Sequence, residues 1–292
     1  MIKIILIIVA VFIVYCLIEM IRELRDFRVT KYRICSQKLN GIKREKKIIF
    51  LSDLHNRMYG EENERLLESI RNQHPDLILI GGDMLVRKDG NSYDKTVHFL
   101  AKLPGICPVY CANGNHEQKL KELPDKYEQS YEEYKKALTA SGIHMLENAS
   151  ETVKLDEVPV KLSGLEIPLG AYARFGKKEL SLKEITDRIG EHGDDYQILL
   201  AHHPGYIQEY LEYGADLILS GHYHGGVMQL PGIGGVISPD FTLFPKYSGG
   251  IYREGTQTVI VSRGLGTHSV PVRLWNWPEL IVLELSGTSE EM

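Results

Sequence analysis

The sequence has few cysteines, no excess of positive charge and no nucleotide-binding Gly-x4-Gly-Lys-Ser/Thr loop. Its 4 cysteines suggest no disulfide framework, which slightly favours a reducing compartment. A net charge of −5 without a basic stripe argues against nucleic acid as a partner. The missing glycine loop argues against a kinase or ATPase of that type. No internal repeat is visible, so we expect one catalytic domain.

What the sequence does contain is a long apolar run near its N-terminus. Residues 4–18 carry no charge, and fifteen helical residues span about 22 Å. Met20 and Ile21 bring the run close to the roughly 30 Å hydrocarbon core of a bilayer. The alternatives are a buried core helix and a cleaved signal peptide, although no small-residue cleavage site follows the run. We therefore predict a membrane anchor over residues 1–21 and a single-pass protein of the cell membrane.

Basic residues follow the predicted anchor and bear on its orientation. Under the positive-inside rule they favour the cytoplasmic side for the catalytic domain; they are Arg22, Arg25, Arg28, Lys31 and Arg33. Acidic residues are interleaved, so an amphipathic helix is an alternative for this segment. We predict a juxtamembrane segment at 22–46, a catalytic domain at 47–286 and a tail at 287–292.

From Lys47 onward, short apolar runs alternate with charged helical stretches. The runs predict buried strands at 48–51, 77–80, 106–111, 198–201, 217–220, 258–262 and 280–285. Helices are expected near 62–72, 93–102, 127–141 and 206–213. Continuously apolar strands that alternate with helices indicate an α/β sheet covered on both faces.

Candidate metal ligands come directly after most of these strands. In chain order they are Asp53 and His55, Asp83, Asn115, His202, and His222 and His224. Loops at the carboxyl ends of parallel strands meet at one edge of a sheet. Side chains two apart in an extended segment face the same way, so each paired motif would aim at one ion. Oxygen and imidazole donors together suit divalent zinc, manganese or iron. Each motif alone is usually an ordinary loop, but five at strand ends are not expected by chance.

This series of motifs resembles the calcineurin-like metallophosphoesterase superfamily over residues 47–285. The motifs are Asp53-x-His55, Gly82-Asp83, Gly114-Asn115-His116-Glu117, His202 and Gly221-His222-x-His224. Gly225-Gly226 and residues 262–266 are similar to its membrane-associated bacterial branch, the YkuE-like and UDP-diacylglucosamine hydrolase-like proteins. The resemblance implies a four-layer α/β/β/α metallophosphoesterase sandwich, preceded here by the N-terminal transmembrane helix.

The resemblance also implies two divalent metal ions, with manganese, iron, zinc and cobalt all possible. The first ion would be bound by Asp53, His55 and His224. The second would be bound by Asn115, His202 and His222, and Asp83 would bridge both. The choice of His202 over His203 rests on the His-x-Pro pattern of the branch.

The implied reaction is hydrolysis of a phosphate ester or pyrophosphate by a metal-activated hydroxide. His116, beside the ligand Asn115, is placed to protonate the leaving oxygen. Arg57, two residues after His55, is a candidate clamp for a phosphate oxygen. We interpret His203 and His268 as ordinary polar residues rather than as pocket residues.

The partner expected from these features is a phosphate-ester substrate. The anchor would place the site near lipid head groups, so a lipid-linked substrate is one option, and a soluble phosphate ester is equally allowed. The alternative function is a non-catalytic scaffold that binds a phosphorylated partner, but its expected mark, a missing ligand, is not found. A β-lactamase-like metallohydrolase would need His-x-His-x-Asp-His, whereas His224 is followed by two glycines.

Overall fold

The computed structural model describes residues 1–86, 92–128, 130–173, 179–267 and 271–288. The helices in these ranges are α1 (Ile2–Glu23), α2 (Glu64–Asn72), α3 (Asp94–Leu100), α4 (Asn115–Glu122), α5 (Tyr131–Ala140), α6 (Leu182–Ile189) and α7 (Ile207–Tyr213). The first seven strands are β1 (Arg28–Cys35), β2 (Lys46–Leu51), β3 (Leu77–Ile80), β4 (Val109–Cys111), β5 (Ile143–Met145), β6 (Ala149–Leu155) and β7 (Val158–Leu165). They are followed by β8 (Tyr196–Ala201), β9 (Leu217–Ser220), β10 (Gln229–Leu230), β11 (Gly234–Gly235), β12 (Gly250–Glu254), β13 (Gln257–Val261) and β14 (Glu279–Ser286).

Two six-stranded sheets form the body of the protein. The first has the strand order β1-β14-β2-β3-β4-β5, and the second has the order β12-β13-β9-β8-β7-β6. In the first sheet β2, β3, β4 and β5 run parallel. In the second sheet β7, β8, β9 and β13 do the same. The carboxyl ends of the central strands therefore share an edge within each sheet.

The apolar strands divide their side chains between two layers, because successive side chains of a strand point to opposite faces. In β2, Phe50 lies in the core between the sheets, whereas Ile49 packs with α2, α3 and α5. In β8, Ile198 enters the same intersheet core, whereas Leu199 packs with α6 and α7. The layers therefore follow the order α/β/β/α, which confirms the predicted sandwich.

The segment after α1 contains a strand rather than the amphipathic helix considered as an alternative. β1 pairs in parallel with β14 along its whole length. Lys31 and Arg33 point outward and reach Glu284 of β14, while Ile34 is buried between the sheets. This alternation has the period of a strand. The strand also covers an edge of β14 that would otherwise carry unpaired backbone groups.

The N-terminal helix α1 differs from every other helix described, because its apolar side chains are exposed. Among the described residues it is the one helix long and apolar enough to cross a membrane, a property that signal sequences share. Its end is fixed to the body of the protein. The Glu23 carboxylate is buried and accepts the Asn276 N–H at 3.0 Å, and the rings of Phe27 and Tyr59 meet edge to face at 4.8 Å.

Candidate metal centre

Five loops meet at the edge where strands of both sheets end. β2, β3 and β4 contribute loops from the first sheet, and β8 and β9 contribute loops from the second. These loops, with the start of α4, carry every residue predicted as a metal ligand: Asp53, His55, Asp83, Asn115, His202, His222 and His224. Ligand sites in α/β sheets form at such carboxyl ends.

The first group of donors consists of Asp53, His55 and His224, whose ligand atoms lie within 4.8 Å of one another. The Nε2 atoms of His55 and His224 are 2.9 Å apart. The His224 Nε2 atom is also 3.3 Å from Asp53 Oδ1. Two imidazoles and a carboxylate that converge in this way match the donor set of a transition-metal ion.

The second group consists of Asp83, His202 and His222. The His202 Nε2 atom is 3.2 Å from Asp83 Oδ2, and the same carboxylate oxygen is 3.9 Å from His55 Nε2 in the first group. Asp83 therefore lies between the two groups, where a bridging ligand would be needed.

Asn115 supplies the clearest test of whether these residues suit a metal. Its side chain is 4% exposed, and its Oδ1 atom accepts no hydrogen bond from the described residues. A buried amide oxygen without a partner is unfavourable. A bound cation would satisfy it, and the two carboxylates, with neutral imidazoles as further donors, offset part of the charge of two divalent ions. The residues present therefore fit the implied metals.

The backbone that aims these donors is left-handed rather than extended. Positive φ angles occur at Asp53 (54°), His55 (50°), Asp83 (52°), His222 (62°) and His224 (49°). The Asp-x-His and His-x-His segments were expected to be extended, and that expectation is wrong. Left-handed conformations at non-glycine residues are strained and cluster at functional sites. Here they turn both members of each motif inward just after a strand ends.

Glycines next to the ligands allow the loops to approach each other. A Cβ on Gly82, which has a φ of 90°, would overlap the backbone of Gly114. A Cβ on Gly221 would overlap the carboxylate of Asp53 and the hydroxyl of Ser52. Only glycine permits this close contact between loops from different strands.

Hydrogen bonds from neighbouring groups fix the ligand side chains. The Ser52 hydroxyl and the His222 N–H donate to the Asp53 carboxylate at 2.5 and 3.0 Å. The His202 Nδ1 atom is 2.8 Å from the Gly81 carbonyl oxygen, which leaves Nε2 facing Asp83. Such outer contacts set the tautomer and orientation of metal-binding residues.

Glu117 has a supporting role that the sequence analysis did not assign. Its buried carboxylate accepts the N–H groups of Asp83 and Met84, both at 2.8 Å, and that of Gly114 at 3.1 Å. It therefore joins the loop after β3 to the start of α4. Burial, followed by the charge of Asp83, raises the pKa of Glu117 to about 7. In the sequence, the position of Glu117 in the Asn-His-Glu motif was the feature that could have indicated this role.

The charges of the donors are strongly coupled. Burial raises the pKa of Asp53 to about 6, although His202 opposes this. Burial alone would lower the pKa of His202, but Asp83 and Asp53 raise it to about 10. Burial also disfavours ionised Asp83, yet His202 and His116 hold the pKa of that carboxyl well below its usual value. Since a cation would use the same lone pairs as these protons, metal binding here is coupled to proton release.

His116 and Arg57, the other predicted site residues, occupy different surroundings. His116 is buried, and its backbone N–H donates to Asp83 Oδ1 at 2.8 Å. The centroid of its ring lies 4.9 Å from that of His55. Arg57 is turned toward the end of α1, where its guanidinium donates to the Leu24 carbonyl oxygen. The structure thus places the Arg57 guanidinium against the end of α1.

Of the two further histidines considered from the sequence, the structure describes His203. The His203 Nδ1 atom accepts the Gly205 N–H at 3.0 Å, and its ring lies 4.6 Å from that of His222. Tyr172, which was not predicted as a site residue, packs against both imidazoles. Its ring centroid lies 5.0 Å from that of His203 and 5.2 Å from that of His222. His268 lies outside the described residues.

Asn276 fixes the backbone of the loop after β9, a role that was not predicted from the sequence. Its side-chain amide donates to the carbonyl oxygens of His224 at 2.7 Å and Gly226 at 2.6 Å. Its own N–H is the donor to Glu23 at the end of α1, 253 residues away in sequence. No local sequence pattern indicates such a contact.

Comparison with known proteins agrees with this geometry. Residues 46–226, which carry all the predicted ligands, match a family model described as calcineurin-like phosphoesterase. The chain is 31% identical to the uncharacterized metallophosphoesterase YkuE of Bacillus subtilis, over 83% of this chain and 80% of that protein. It is 25% identical to the phosphodiesterase YaeI of Escherichia coli, over 82% of each chain. It is 24% identical to the UDP-2,3-diacylglucosamine pyrophosphatase LpxG of Chlamydia muridarum, over 81% of this chain and 82% of that protein.

Proposed function

The chain belongs to the calcineurin-like phosphoesterase family of metal-dependent hydrolases, and from this premise we propose that it is a membrane-anchored phosphoesterase with two metal ions in one site. The observation that carries the proposal is the pair of donor groups with Asp83 between them. A single-ion site would not need a carboxylate placed toward both.

We assign the metal ligands as the sequence predicted them. Asp53, His55 and His224 would hold one ion, and Asn115, His202 and His222 would hold the other. The carboxylate of Asp83, which lies between the two donor groups, would serve both. When bound, two divalent ions lower the pKa of a water molecule and offset charge on the phosphoryl oxygens.

The remaining chemistry belongs to side chains of the protein. The backbone N–H of His116 is hydrogen-bonded to Asp83, so the imidazole ring stays close to the donor groups. From this position its imidazolium gives a proton to the leaving oxygen as the phosphorus–oxygen bond breaks. Tyr172 packs on the rings of His203 and His222 and helps to hold them in position.

The finer part of the proposal concerns location and substrate. We assign α1 as a retained membrane anchor, because its exposed apolar surface has no protein partner among the described residues. The basic residues that follow it favour a cytoplasmic catalytic domain. A site tethered to a bilayer favours a lipid-linked phosphodiester or pyrophosphate, and the name of the relative LpxG describes a substrate of that type.

The test uses the full-length protein in detergent, stripped of metal and reloaded separately with manganese, iron, zinc or cobalt. Each form is assayed with a phosphomonoester, a phosphodiester and a lipid-linked pyrophosphate. We expect chelation to abolish hydrolysis, one or more metals to restore it, and the lipid-linked substrate to give the highest kcat/KM. Loss of every activity in all metal-loaded forms would instead favour the non-catalytic scaffold. A soluble ester as best substrate would overturn only the lipid-linked assignment.

A further inference from the structure

An exposed apolar loop follows directly after the metal-site histidines. We call residues 227–245 the apolar loop. Outside α1, most of the large hydrophobic side chains exposed in the described residues belong to it. Ile233, in the turn between β10 and β11, is 62% exposed, and around the following turn Phe241 is 54%, Leu243 64% and Phe244 53% exposed. Exposed hydrophobic groups that cluster in this way mark an interaction surface.

The apolar loop also lacks the charges expected of a solvated surface. Asp240 is its one ionisable residue, and that side chain is 7% exposed and contacts Ser238 and Tyr223. Its charge is therefore directed into the protein. The exposed part of the loop offers glycine, proline and hydrophobic side chains, a composition that suits an apolar partner rather than a charged protein or nucleic acid.

Hydrogen bonds hold the tip of the apolar loop in a fixed shape. Ile237 bridges to Leu243, and the Ser238 N–H donates to the Thr242 carbonyl oxygen at 3.0 Å. Phe241 and Phe244 have φ angles of 63° and 49°, which are strained for aromatic residues. The local fold thus keeps these rings exposed instead of letting them pack onto the protein.

The base of the apolar loop is joined to the end of α1 through one strip of chain. The Gln229 N–H donates to the Leu274 carbonyl oxygen at 3.1 Å, and the Leu274 N–H donates to that of Val227 at 3.3 Å. Two residues later, Asn276 binds Glu23 of α1. The exposed helix and the exposed loop therefore attach to the same short segment.

That segment has a composition typical of a membrane interface. Both tryptophans of the chain, Trp275 and Trp277, lie in it. The guanidinium of Arg28 lies 4.0 Å from the Trp277 ring centroid, and that of Arg22 lies 5.6 Å away. Tryptophan and arginine are enriched where membrane helices leave the hydrocarbon region.

We propose that the apolar loop inserts into the interface of the bilayer that holds α1. Ile233, Phe241, Leu243 and Phe244 enter the acyl boundary, so the donor groups beside the loop base open at the level of the phosphates of membrane lipids. This inference deepens the proposed function and rests on its membrane anchor. A few inserted side chains suffice, because α1 keeps the loop at high local concentration next to the bilayer.

The test places an environment-sensitive fluorophore on the tip of the loop in the full-length protein. A single cysteine at Leu243→Cys is labelled in a background whose native cysteines are replaced, and the protein is reconstituted into phosphatidylethanolamine–phosphatidylglycerol vesicles. We expect blue-shifted emission that is quenched by spin-labelled lipids and protected from aqueous iodide. The matched control is Leu182→Cys, another exposed leucine, at the start of α6, which should stay accessible to iodide.

Three outcomes would overturn the proposal. Iodide quenching at position 243 equal to that at position 182 would place the loop in water. Protection without quenching by spin-labelled lipids, together with energy transfer between labelled chains, would indicate a second copy as the partner. Release of the whole protein from vesicles by alkaline carbonate would show that α1 is no anchor, a failure distinct from failure of the loop.

A functional assay separates the loop from the chemistry. The variant Phe241→Ser/Leu243→Ser/Phe244→Ser should hydrolyse a soluble aryl phosphodiester at the wild-type rate. It should lose most of its activity on a lipid-linked pyrophosphate embedded in vesicles, whereas Leu182→Ser should keep both activities. Equal activity of the triple variant and the wild type on vesicles would contradict the proposal. Absence of hydrolysis of either substrate by the wild type would count against the proposed function itself.

Discussion

The donor groups and the apolar surface depart from the usual distribution of side chains in opposite directions. In the metal centre, ionisable and amide side chains such as Asp53, Asp83 and Asn115 are almost fully buried. In α1 and the apolar loop, large hydrophobic side chains such as Leu243 are exposed. Buried polar groups and exposed apolar patches are the informative exceptions in a folded protein. Under the proposed function, each of these regions would take a partner from outside the chain, a cation in one case and a bilayer in the other.

The two regions also differ in how they are held. The donor groups are fixed by hydrogen bonds from every side, including those of Ser52 and Glu117. The apolar loop is held at its base, within its own tip, and by contacts of Gly235 with Ser248 and of Asp240 with Tyr223, while its large hydrophobic side chains stay exposed. Substitutions in the donor groups should therefore change chemistry on any substrate. Substitutions in the loop should change only reactions at a membrane.

The largest effect is expected from Asp83→Asn. Removing the carboxylate between the two donor groups takes away a charge that both ions need, which is worth several kcal/mol of transition-state stabilisation, or a loss of about 10³-fold or more in kcat. The assay uses a soluble phosphodiester with metal-reloaded protein. Asp125→Asn, at an exposed position, serves as the control. Thermal unfolding should show that both variants are folded, and wild-type turnover by Asp83→Asn would refute the two-metal assignment.

A smaller and selective effect is expected from His116→Asn. Loss of a general acid costs typically 10²–10⁴-fold, but only when the leaving oxygen needs a proton. Alkyl phosphate esters should therefore lose far more rate than p-nitrophenyl esters, whose leaving group departs as an anion. His144→Asn removes an exposed histidine paired with Glu151 and should leave both rates unchanged. Equal losses on the two substrates would remove the assignment of His116 as general acid.

Asn276→Ala tests the link between the two regions. Without its amide, the carbonyl oxygens of His224 and Gly226 lose their donor, and the loop that carries a ligand becomes less well positioned. Loss of an outer contact of this kind weakens metal affinity by roughly 10–100-fold, measurable by titrating metal into the stripped protein. The exposed Asn72→Ala variant is the control. Unchanged metal affinity in Asn276→Ala would mean that the loop is positioned without it.

The smallest effect is expected from Arg57→Ala. Its guanidinium binds the Leu24 carbonyl oxygen, so its loss should loosen the end of α1 and change kcat on a soluble ester by no more than about threefold. A clamp on a phosphate oxygen would instead cost on the order of 10²-fold, as for other transition-state donors. Comparison of kcat for Arg57→Ala and for the exposed control Arg71→Ala distinguishes the two roles.

The sequence predicted the central strands well because they are continuously apolar. β9 coincides with its predicted range, and β2 and β8 begin two residues earlier than predicted. β6 was missed because it alternates polar and apolar residues at a sheet edge. The helix α6 was missed although Ser181 and Glu184 form a capping box, a signal present in the sequence. The strand expected from residue 106 begins only at Val109, and a 3₁₀ turn at Leu103–Gly105 comes before it.

The convergence of the predicted residues could be anticipated from the sequence, but the backbone geometry that aims them could not. Ligand types placed after strands were enough to bring Asp53, Asp83 and His202 into one expected site. The left-handed backbone at Asp53 and Asp83 depends on contacts between loops, which local spacing does not reveal. The contact of Asn276 with Glu23 joins the two ends of the chain. Only the folded arrangement of β1 beside β14 brings such distant segments together.

The central claim is that two ions share the carboxylate of Asp83. The most direct measurement is anomalous diffraction from crystals of the manganese-loaded protein, combined with elemental analysis of the same sample. We expect two ions per chain, one among Asp53, His55 and His224 and one among Asn115, His202 and His222, each in contact with Asp83. A single ion, or two ions that do not share Asp83, would contradict the account.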